Sequence, residues 1–401
     1  MNTSVLSSLM TRWLSRRTLV RWVTAVVLAA AFGSATAGGK PYSYFVTGNA
    51  EAPIAATLKA PATSSIVLMG GGPDVDEAFR WMITRAGIEP GTGGRFVVIR
   101  ATGTEAYDPY IYYSDAALTR STTVADQWVG GASLGLTSVE TLVIPSIAAA
   151  NDAFVNSVVS KAHAVFIAGG DQSDYIKYWK GTKLDQTLSG LMQNNVPIGG
   201  TSAGLAVLGQ FDFAALKGTV TSTQALANPY NKYMTLDPDP LSLTGGFLAP
   251  PALANTVLDA HLDSRDRMGR LIAFVARLVA PDSGFGCPGG ILASGTNSAA
   301  TARGIGVDVE TALLVQGNKN TSAAFTARRV TNPSTTTQSA VYFVQPLNPP
   351  TVCGSGKPLT MTTVEIKKLA DSDTIFNLSD WSGLTGYTVD AISGALTSSP
   401  Y

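Results

Sequence analysis

Between residues 64 and 208 the sequence repeats one pattern: a short, wholly apolar run closed by small or polar residues, then a stretch of helical periodicity. Ser65-Ile-Val-Leu-Met69 runs into three glycines at 70–72 and is followed by a helical pattern over 76–86. Arg95-Phe-Val-Val-Ile-Arg100 ends in Thr102-Gly103, and Thr141-Leu-Val-Ile144 ends in Pro145-Ser146. A helical stretch over 151–161, with Phe154, Val158 and Val159 on one side, leads to Ala164-Val-Phe-Ile-Ala168 and the turn Gly169-Gly-Asp-Gln172. A further helical segment carries Tyr175, Trp179, Leu184 and Leu188, and Val196-Pro-Ile198 closes the series. Strands without polar alternation must be covered on both faces, and strands alternating with helices run parallel. The expectation is therefore an α/β fold with a doubly wound, mostly parallel sheet. In such sheets the carboxyl ends of the strands build the site, and each strand here ends in residues small or polar enough to line one.

After residue 208 the pattern loosens. Residues 210–258 read as a large loop with short elements, and 264–278 return to helix with Met268, Leu271, Ile272, Val275 and Val279 as its apolar stripe. A strand pattern over 303–315 centres on Ile305-Gly-Val307 and Ala312-Leu-Leu-Val315. The segment 321–401 is rich in Thr, Ser, Val and Pro and reads as a β-rich extension closing the domain. The division expected is thus 1–37, 38–63 as a lead-in, 64–320 as the α/β domain, and 321–401.

The first 37 residues read as an export signal. Arg12, Arg16, Arg17 and Arg21 form a basic region, the apolar run 22–32 is too short to span a bilayer comfortably, and Ala35-Thr-Ala37 offers small residues for cleavage. Ser15-Arg-Arg-Thr-Leu-Val20 resembles a twin-arginine signal. The mature chain is expected outside the cytoplasm, periplasmic or released, without a stable membrane anchor. Lys plus Arg and Asp plus Glu both number 28, which gives no sign of a nucleic-acid-binding surface. Cys287 and Cys353 lack metal-ligand spacing; they are either linked in an oxidising compartment or two separate thiols.

Gly200-Thr-Ser202-Ala-Gly204 fits the G-x-S-x-G pattern of a nucleophile elbow, where a strand turns sharply into a helix and lifts a serine hydroxyl clear of the backbone. Only His163 and His261 can serve Ser202 as a base. His163 precedes a buried strand at its amino end, the wrong edge for a site, and reads as structural. His261 lies among Asp259, Asp263, Arg265, Arg267 and Arg270, a mixture suited to carboxylates but also found at solvated helix starts. The backbone N–H groups of Ala203, next to the serine, and Gly170, at the end of the neighbouring strand, are the candidate oxyanion hole. Gly169-Gly170 is equally compatible with a plain strand-to-helix turn.

Taken in order, Gly169-Gly-Asp-Gln172, Gly200-Thr-Ser-Ala-Gly204, Asp259-x-His261-x-x-x-Arg265-x-Arg267-x-Gly-Arg270-Leu and Gly304-Ile-Gly-Val-Asp308 resemble the cyanophycinases. These belong to a serine peptidase family that also contains aspartyl dipeptidases. The resemblance covers roughly residues 64–315 and implies a sheet similar to class I glutamine amidotransferases, usually in a dimer. It implies hydrolysis of cyanophycin, a poly-aspartate backbone bearing arginine on each side-chain carboxyl, to β-aspartyl-arginine dipeptides, with no metal or organic cofactor. Ser202 would be the nucleophile and His261 the base and then the acid. Gly170 and Ala203 would hold the oxyanion, and Gln172, Asp259, Arg265, Arg267 and Arg270 would line the substrate pocket.

Two departures stand out. Ala260 replaces a glutamine frequent in the family. The segment after Gly304-Ile-Gly-Val-Asp308 reads Val-Glu310-Thr-Ala rather than Glu-x-Thr-Ala, a slip that would reverse the face of a strand residue. Glu310 is nominated as the acid orienting His261, with Asp212, Asp259 and Asp308 as alternatives. Other readings are an exported aspartyl or isoaspartyl peptidase and a polymer-binding relative without catalysis. An α/β-hydrolase esterase shares the elbow but calls for a histidine near the carboxyl end, and none follows His261.

Overall fold

A computed structural model describes residues 39–113, 130–239, 246–283, 287–288, 290–292, 301–318, 321–335 and 339–401. The export signal falls outside the described residues, as does the pairing of Cys287 with buried Cys353, because the Cys287 side chain is not among them. Among the described residues no helix is long and apolar enough to cross a membrane.

The chain begins with β1 (Ser43–Gly48), β2 (Ser65–Met69), α1 (Asp76–Arg85), β3 (Arg95–Arg100), α2 (Tyr107–Tyr113) and β4 (Ser138–Val143). It continues with α3 (Ile147–Ala150), α4 (Ala153–Ser160), β5 (Ala164–Ile167), α5 (Gln172–Trp179), α6 (Lys183–Gln193), β6 (Ile198–Thr201) and α7 (Ala203–Ala206). Five strands run parallel in the spatial order β4-β3-β5-β6-β2. Their unbroken apolar sequences are explained by two cores. Ile66, Leu68, Val97, Ile99, Val165 and Ile167 enter one cluster, while Val67, Met69, Phe96, Val98, Ala164 and Phe166 enter another. Successive residues of a strand point to opposite faces, so both faces of this sheet are buried.

β4 starts three residues before the apolar run that signals it, because its polar residues are satisfied inside. Glu140 accepts hydrogen bonds from Tyr44 at 2.9 Å and Ser138 at 2.8 Å, and the Thr141 hydroxyl donates to Asp108 at 2.5 Å. Helix starts follow their caps: the side chains of Ser146, Asp152 and Asp171 accept from backbone N–H groups at the heads of α3, α4 and α5.

Between 210 and 255 the described residues carry only short elements: the pair β7 (Asp212–Phe213) and β8 (Leu236–Asp237), α8 (Ser222–Ala227) and a 3-10 turn at Pro251–Leu253. Then come β9 (Thr256–Ala260), α9 (Met268–Val279) and the short pair β10 (Asp282–Ser283) and β11 (Cys287–Pro288). Every residue of α9 is buried. The helix packs on β9 and on β12 (Arg303–Val307), which is parallel to β9.

The 303–315 strand pattern is two strands in two sheets. β12 ends at Val307, residues 308–310 turn, and β13 (Thr311–Asn318) joins the first sheet antiparallel to β2. The turn is sharp: Glu310 has φ +55°. Glu310 is therefore not a strand residue, and the face-reversal argument for its slipped position does not apply.

The 321–401 segment is shared between the sheets. β14 (Thr321–Thr331) and β17 (Phe376–Asn377) extend the first sheet to nine strands. β15 (Val341–Pro346), β16 (Met361–Leu369), β18 (Gly386–Ile392) and β19 (Ala395–Leu396) join β12 and β9 in a second sheet, ordered β19-β18-β16-β15-β12-β9. The segment thus completes the sheet that carries His261 at the end of β9.

Candidate active site

Ser202 stands where β6 gives way to α7, at φ +51° and ψ −111°, a conformation rarely adopted outside glycine. The flanking glycines make that turn possible. A Cβ on Gly200 would lie 2.4 Å from the backbone of Gly204, and one on Gly204 would lie 2.0 Å from the Ile167 carbonyl oxygen. The elbow is so tight that strand, helix and the neighbouring strand meet backbone to backbone. Its hydroxyl is delivered to His261: Oγ and Nε2 are 2.8 Å apart across 59 positions of sequence.

His261 follows β9 directly and also has positive φ, +52°. The ring is buried, with the residue 8% exposed. Burial, then the charges of Arg265 and Arg267, push its pKa down to about 4, and Asp259 offsets this only in part. The imidazole is therefore neutral at pH 7, as a base must be. If Nε2 accepts the serine proton, the ring's own proton sits on Nδ1.

Ser202 lines a cavity of about 260 Å³ that also reaches Gly170, Ala203, Gln172, Asp259, Ala260 and the three arginines. Ala203 is the first residue of α7, where N–H groups have no intrahelical acceptor. Gly170 lies beyond β5, and the hydroxyl of Tyr175, anchored on the Ala168 carbonyl at 2.8 Å, would be 2.7 Å from any Cβ there. A larger cavity of about 340 Å³ surrounds Thr63, Asn195 and Phe325 near the amino ends of β2 and β6. It has no titratable side chain in its lining and brings no nucleophile to a base.

The nominated pocket residues are all present but unequally available. Arg270, 2% exposed, grips Asp259 with both arms, Nε to Oδ2 at 2.6 Å and Nη2 to Oδ1 at 2.5 Å. Its remaining nitrogen donates to Thr219 Oγ1 and the Val220 carbonyl, and its guanidinium lies 5.0 Å from the Phe213 ring centroid. Asp259 and Arg270 are thus committed to each other and to tying the 210–258 excursion to β9. Arg267 donates to the Ala260 carbonyl at 2.8 Å and stands 3.7 Å from Asp259. Arg265 is exposed, and among the described residues no hydrogen bond or ion pair holds its guanidinium. Gln172 reaches the Phe213 carbonyl at 3.3 Å. Arg265 and the outer face of Arg267 are the cationic groups left to meet a ligand.

Among the described residues no hydrogen bond joins His261 to any of the four nominated acids. Asp259 is held by Arg270. Asp308 accepts from the Ser264 amide at 3.2 Å. Asp212 is fully buried without a hydrogen-bond partner on either oxygen; it pairs in register with Asp237, and burial raises its pKa well above the carboxylate range. Glu310 is placed by its backbone, whose N–H donates to the Gly71 carbonyl at 3.0 Å. His163 has the structural role expected, exchanging bonds with Arg95 at the amino end of β5: Nδ1 accepts from the Arg95 amide at 3.1 Å and the His163 amide donates to the Arg95 carbonyl at 2.9 Å. Sequence reasoning passed over Gly70 and Gly71, which touch the base, and Phe213 and Thr219, which hold Arg270. The triple glycine closing β2 was the available signal for the first two.

Comparison with known proteins bears on the segment that holds Ser202. Residues 131–224 match the model of Peptidase family S51. No curated protein gives a significant match. Among solved structures, the chain is similar to a peptidase from an acI-B1 Actinobacterium, with 17% identity over 70% of this chain and 91% of that one and a TM-score of 0.39. It is also similar to a Listeria monocytogenes EGD-e protein that carries the peptidase E name, with 14% identity over 67% of this chain and 100% of that one and a TM-score of 0.35. The S51 segment contains the Gly169-Gly170 turn and Ser202, Ser202 is paired with His261, and the enzyme class that follows is a serine-type peptidase.

Proposed function

We propose that the protein is an exported peptidase of the cyanophycinase type, which cuts cyanophycin to β-aspartyl-arginine dipeptides. The observation that carries this reading is that Ser202, 2.8 Å from His261, lines the same cavity as Arg265 and Arg267. A polymer of carboxyl and guanidinium groups asks for a site with fixed charges, and a guanidinium meets a carboxylate with directional, charge-assisted hydrogen bonds.

In the reaction, Ser202 Oγ adds to a backbone carbonyl carbon as its proton passes to His261 Nε2. The N–H groups of Gly170 and Ala203 receive the oxyanion. His261 returns the proton to the leaving amine, which departs and leaves the acyl group on Oγ. Water then adds by the same route: His261 takes its proton, the C–O bond to Ser202 breaks, and the proton ends on Oγ. Glu310, whose backbone is held by Gly71 just as that of His261 is held by Gly70, both past the end of β2, is the acid we assign to Nδ1.

Purified protein offered cyanophycin beside a panel of aspartyl and isoaspartyl dipeptides tests the substrate. Release of β-aspartyl-arginine from the polymer is expected; loss of the dipeptides alone would assign the protein to dipeptide hydrolysis instead. Ser202→Ala should cut turnover by about 10³-fold or more while leaving polymer binding in place. A Ser202→Ala variant as active as its parent would remove the serine from the mechanism.

A further inference from the structure

The end of β2 makes three backbone contacts that the chemistry above does not use. The carbonyl of Met69 accepts from the Ser202 amide at 3.0 Å, that of Gly70 from the His261 amide at 2.9 Å, and that of Gly71 from the Glu310 amide at 3.0 Å. Consecutive carbonyls of one strand end thus hold the nucleophile, the base and the nominated acid. All three acceptor-bound residues have left-handed backbone, φ +51°, +52° and +55°. Such conformations are strained outside glycine and persist where surrounding structure fixes them. Here the same strand end fixes them all.

The side chains agree with the backbone. A Cβ on Gly71 would stand 2.2 Å from His261 Cε1 and 2.7 Å from both ring nitrogens, so the imidazole lies directly on the Gly71 Cα. A Cβ on Gly70 would stand 2.0 Å from the Asp308 carbonyl oxygen, where the chain crosses from β12 to β13. Gly72, next along, has only the Asp74 amide nitrogen nearby, at 3.9 Å. The close approach is therefore confined to the two glycines that carry the contacts.

We propose that Met69-Gly70-Gly71 is a positioning spine that sets the spacing of Ser202 and His261, with Gly71 as the shelf on which the imidazole rests. The inference builds on the assignment of Ser202 and His261 as the catalytic pair. Gly71 acts through His261 and is a positioning residue, not a catalytic one.

The test is a double-mutant cycle of Gly71→Ala and His261→Ala, read as kcat/KM and as melting temperature, with Gly72→Ala beside it. Gly71→Ala is expected to lower kcat/KM by about 10²-fold or more, since a misplacement near 1 Å costs that much. In the His261→Ala background, with the ring gone, the same change should alter kcat/KM by no more than about twofold. Losses that multiply in the double variant, or a Gly71→Ala enzyme as active as the parent, overturn the proposal. Gly71 itself has φ +124°, so alanine is strained there with or without the ring. The contact is read as the difference between backgrounds: the fall in melting temperature from Gly71→Ala should be larger with His261 present. Equal falls, or failure to fold in both backgrounds, overturn the proposal. The underlying assignment fails in a different way, through Ser202→Ala and His261→Ala enzymes that keep parental turnover, and the stability arm of the cycle still reads the contact in that case.

Discussion

His261 is surrounded by more positive than negative charge, and this sets how the site must respond to pH. Its pKa of about 4 comes first from burial and next from Arg265 and Arg267, because a neighbouring cation disfavours imidazolium. The base is competent only when neutral, so kcat/KM should hold through neutral pH and fall on an acid limb near pH 4. Removing a cation makes imidazolium easier to form, which raises the pKa and moves that limb to higher pH. Arg265→Ala is expected to shift it upward and Arg265→Lys to leave it near the parental position, whatever each does to substrate affinity. Profiles of kcat/KM against pH decide the point, and an unmoved limb in Arg265→Ala would mean that the Arg265 charge does not set the basicity. At this scale the sequence was informative about identity and silent about commitment. With only two histidines, one of them at the wrong end of a strand, His261 was legible as the one that would meet Ser202. Nothing in the spacing of Asp259 and Arg270 showed that the two would be buried together and bonded to each other, because that depends on where the 210–258 excursion lays Thr219 and Phe213.

Elements explain why glycine is required at some positions of the site and merely tolerated elsewhere. Gly204, in the short helix after the nucleophile, faces the Ile167 carbonyl so closely that a Cβ would come within 2.0 Å of it, and backbone cannot swing aside as a side chain can. Gly190 sits inside α6 with no atom within 4 Å of an added Cβ and with ordinary helical backbone. The same substitution should therefore act with opposite sign at the two sites. Gly204→Ala is expected to destabilise by at least about 1–3 kcal/mol through overpacking. Gly190→Ala should stabilise by about 0.5–1 kcal/mol through helix propensity. Chemical denaturation of both variants checks this; equal effects would show that the elbow relaxes more easily than its geometry implies. The parallel strands were legible because burial on both faces writes itself as an unbroken apolar run. β9 was not: Thr256 and Asp259 interrupt its pattern, and Asp259 is tolerated inside only because Arg270 meets it. β12 and β13 read as one strand because the turn between them, Asp308 to Glu310, has no glycine or proline to announce it.

Across the whole molecule, the proposed nucleophile and base come from different sheets: Ser202 follows β6 of the nine-stranded sheet, and His261 follows β9 of the six-stranded one. Their separation is therefore held by the Met69 and Gly70 carbonyls and by the join between the sheets. Residues 40–401 form one compact unit, and the chain crosses the join at residues 308–310. Phe343, fully buried on β15 of the second sheet, stacks on Phe376 of β17 in the first with ring centroids 3.8 Å apart, and Trp381 packs edge-on to both. The 321–401 segment thus adds a fastening between the sheet of His261 and the sheet of Ser202 to the one made by Met69 and Gly70. Truncating a buried phenylalanine costs about 3–5 kcal/mol through lost burial and the cavity left behind. Phe343→Ala should lower the melting temperature while the protein still unfolds in a single transition, with hydrolytic activity lost in that same transition. The reason is that neither sheet can loosen without parting Ser202 from His261. Calorimetry run alongside activity on heating reads both quantities: two resolved transitions, or activity that outlasts the melting of the second sheet, would show that the base is held in place without the β15–β17 contact.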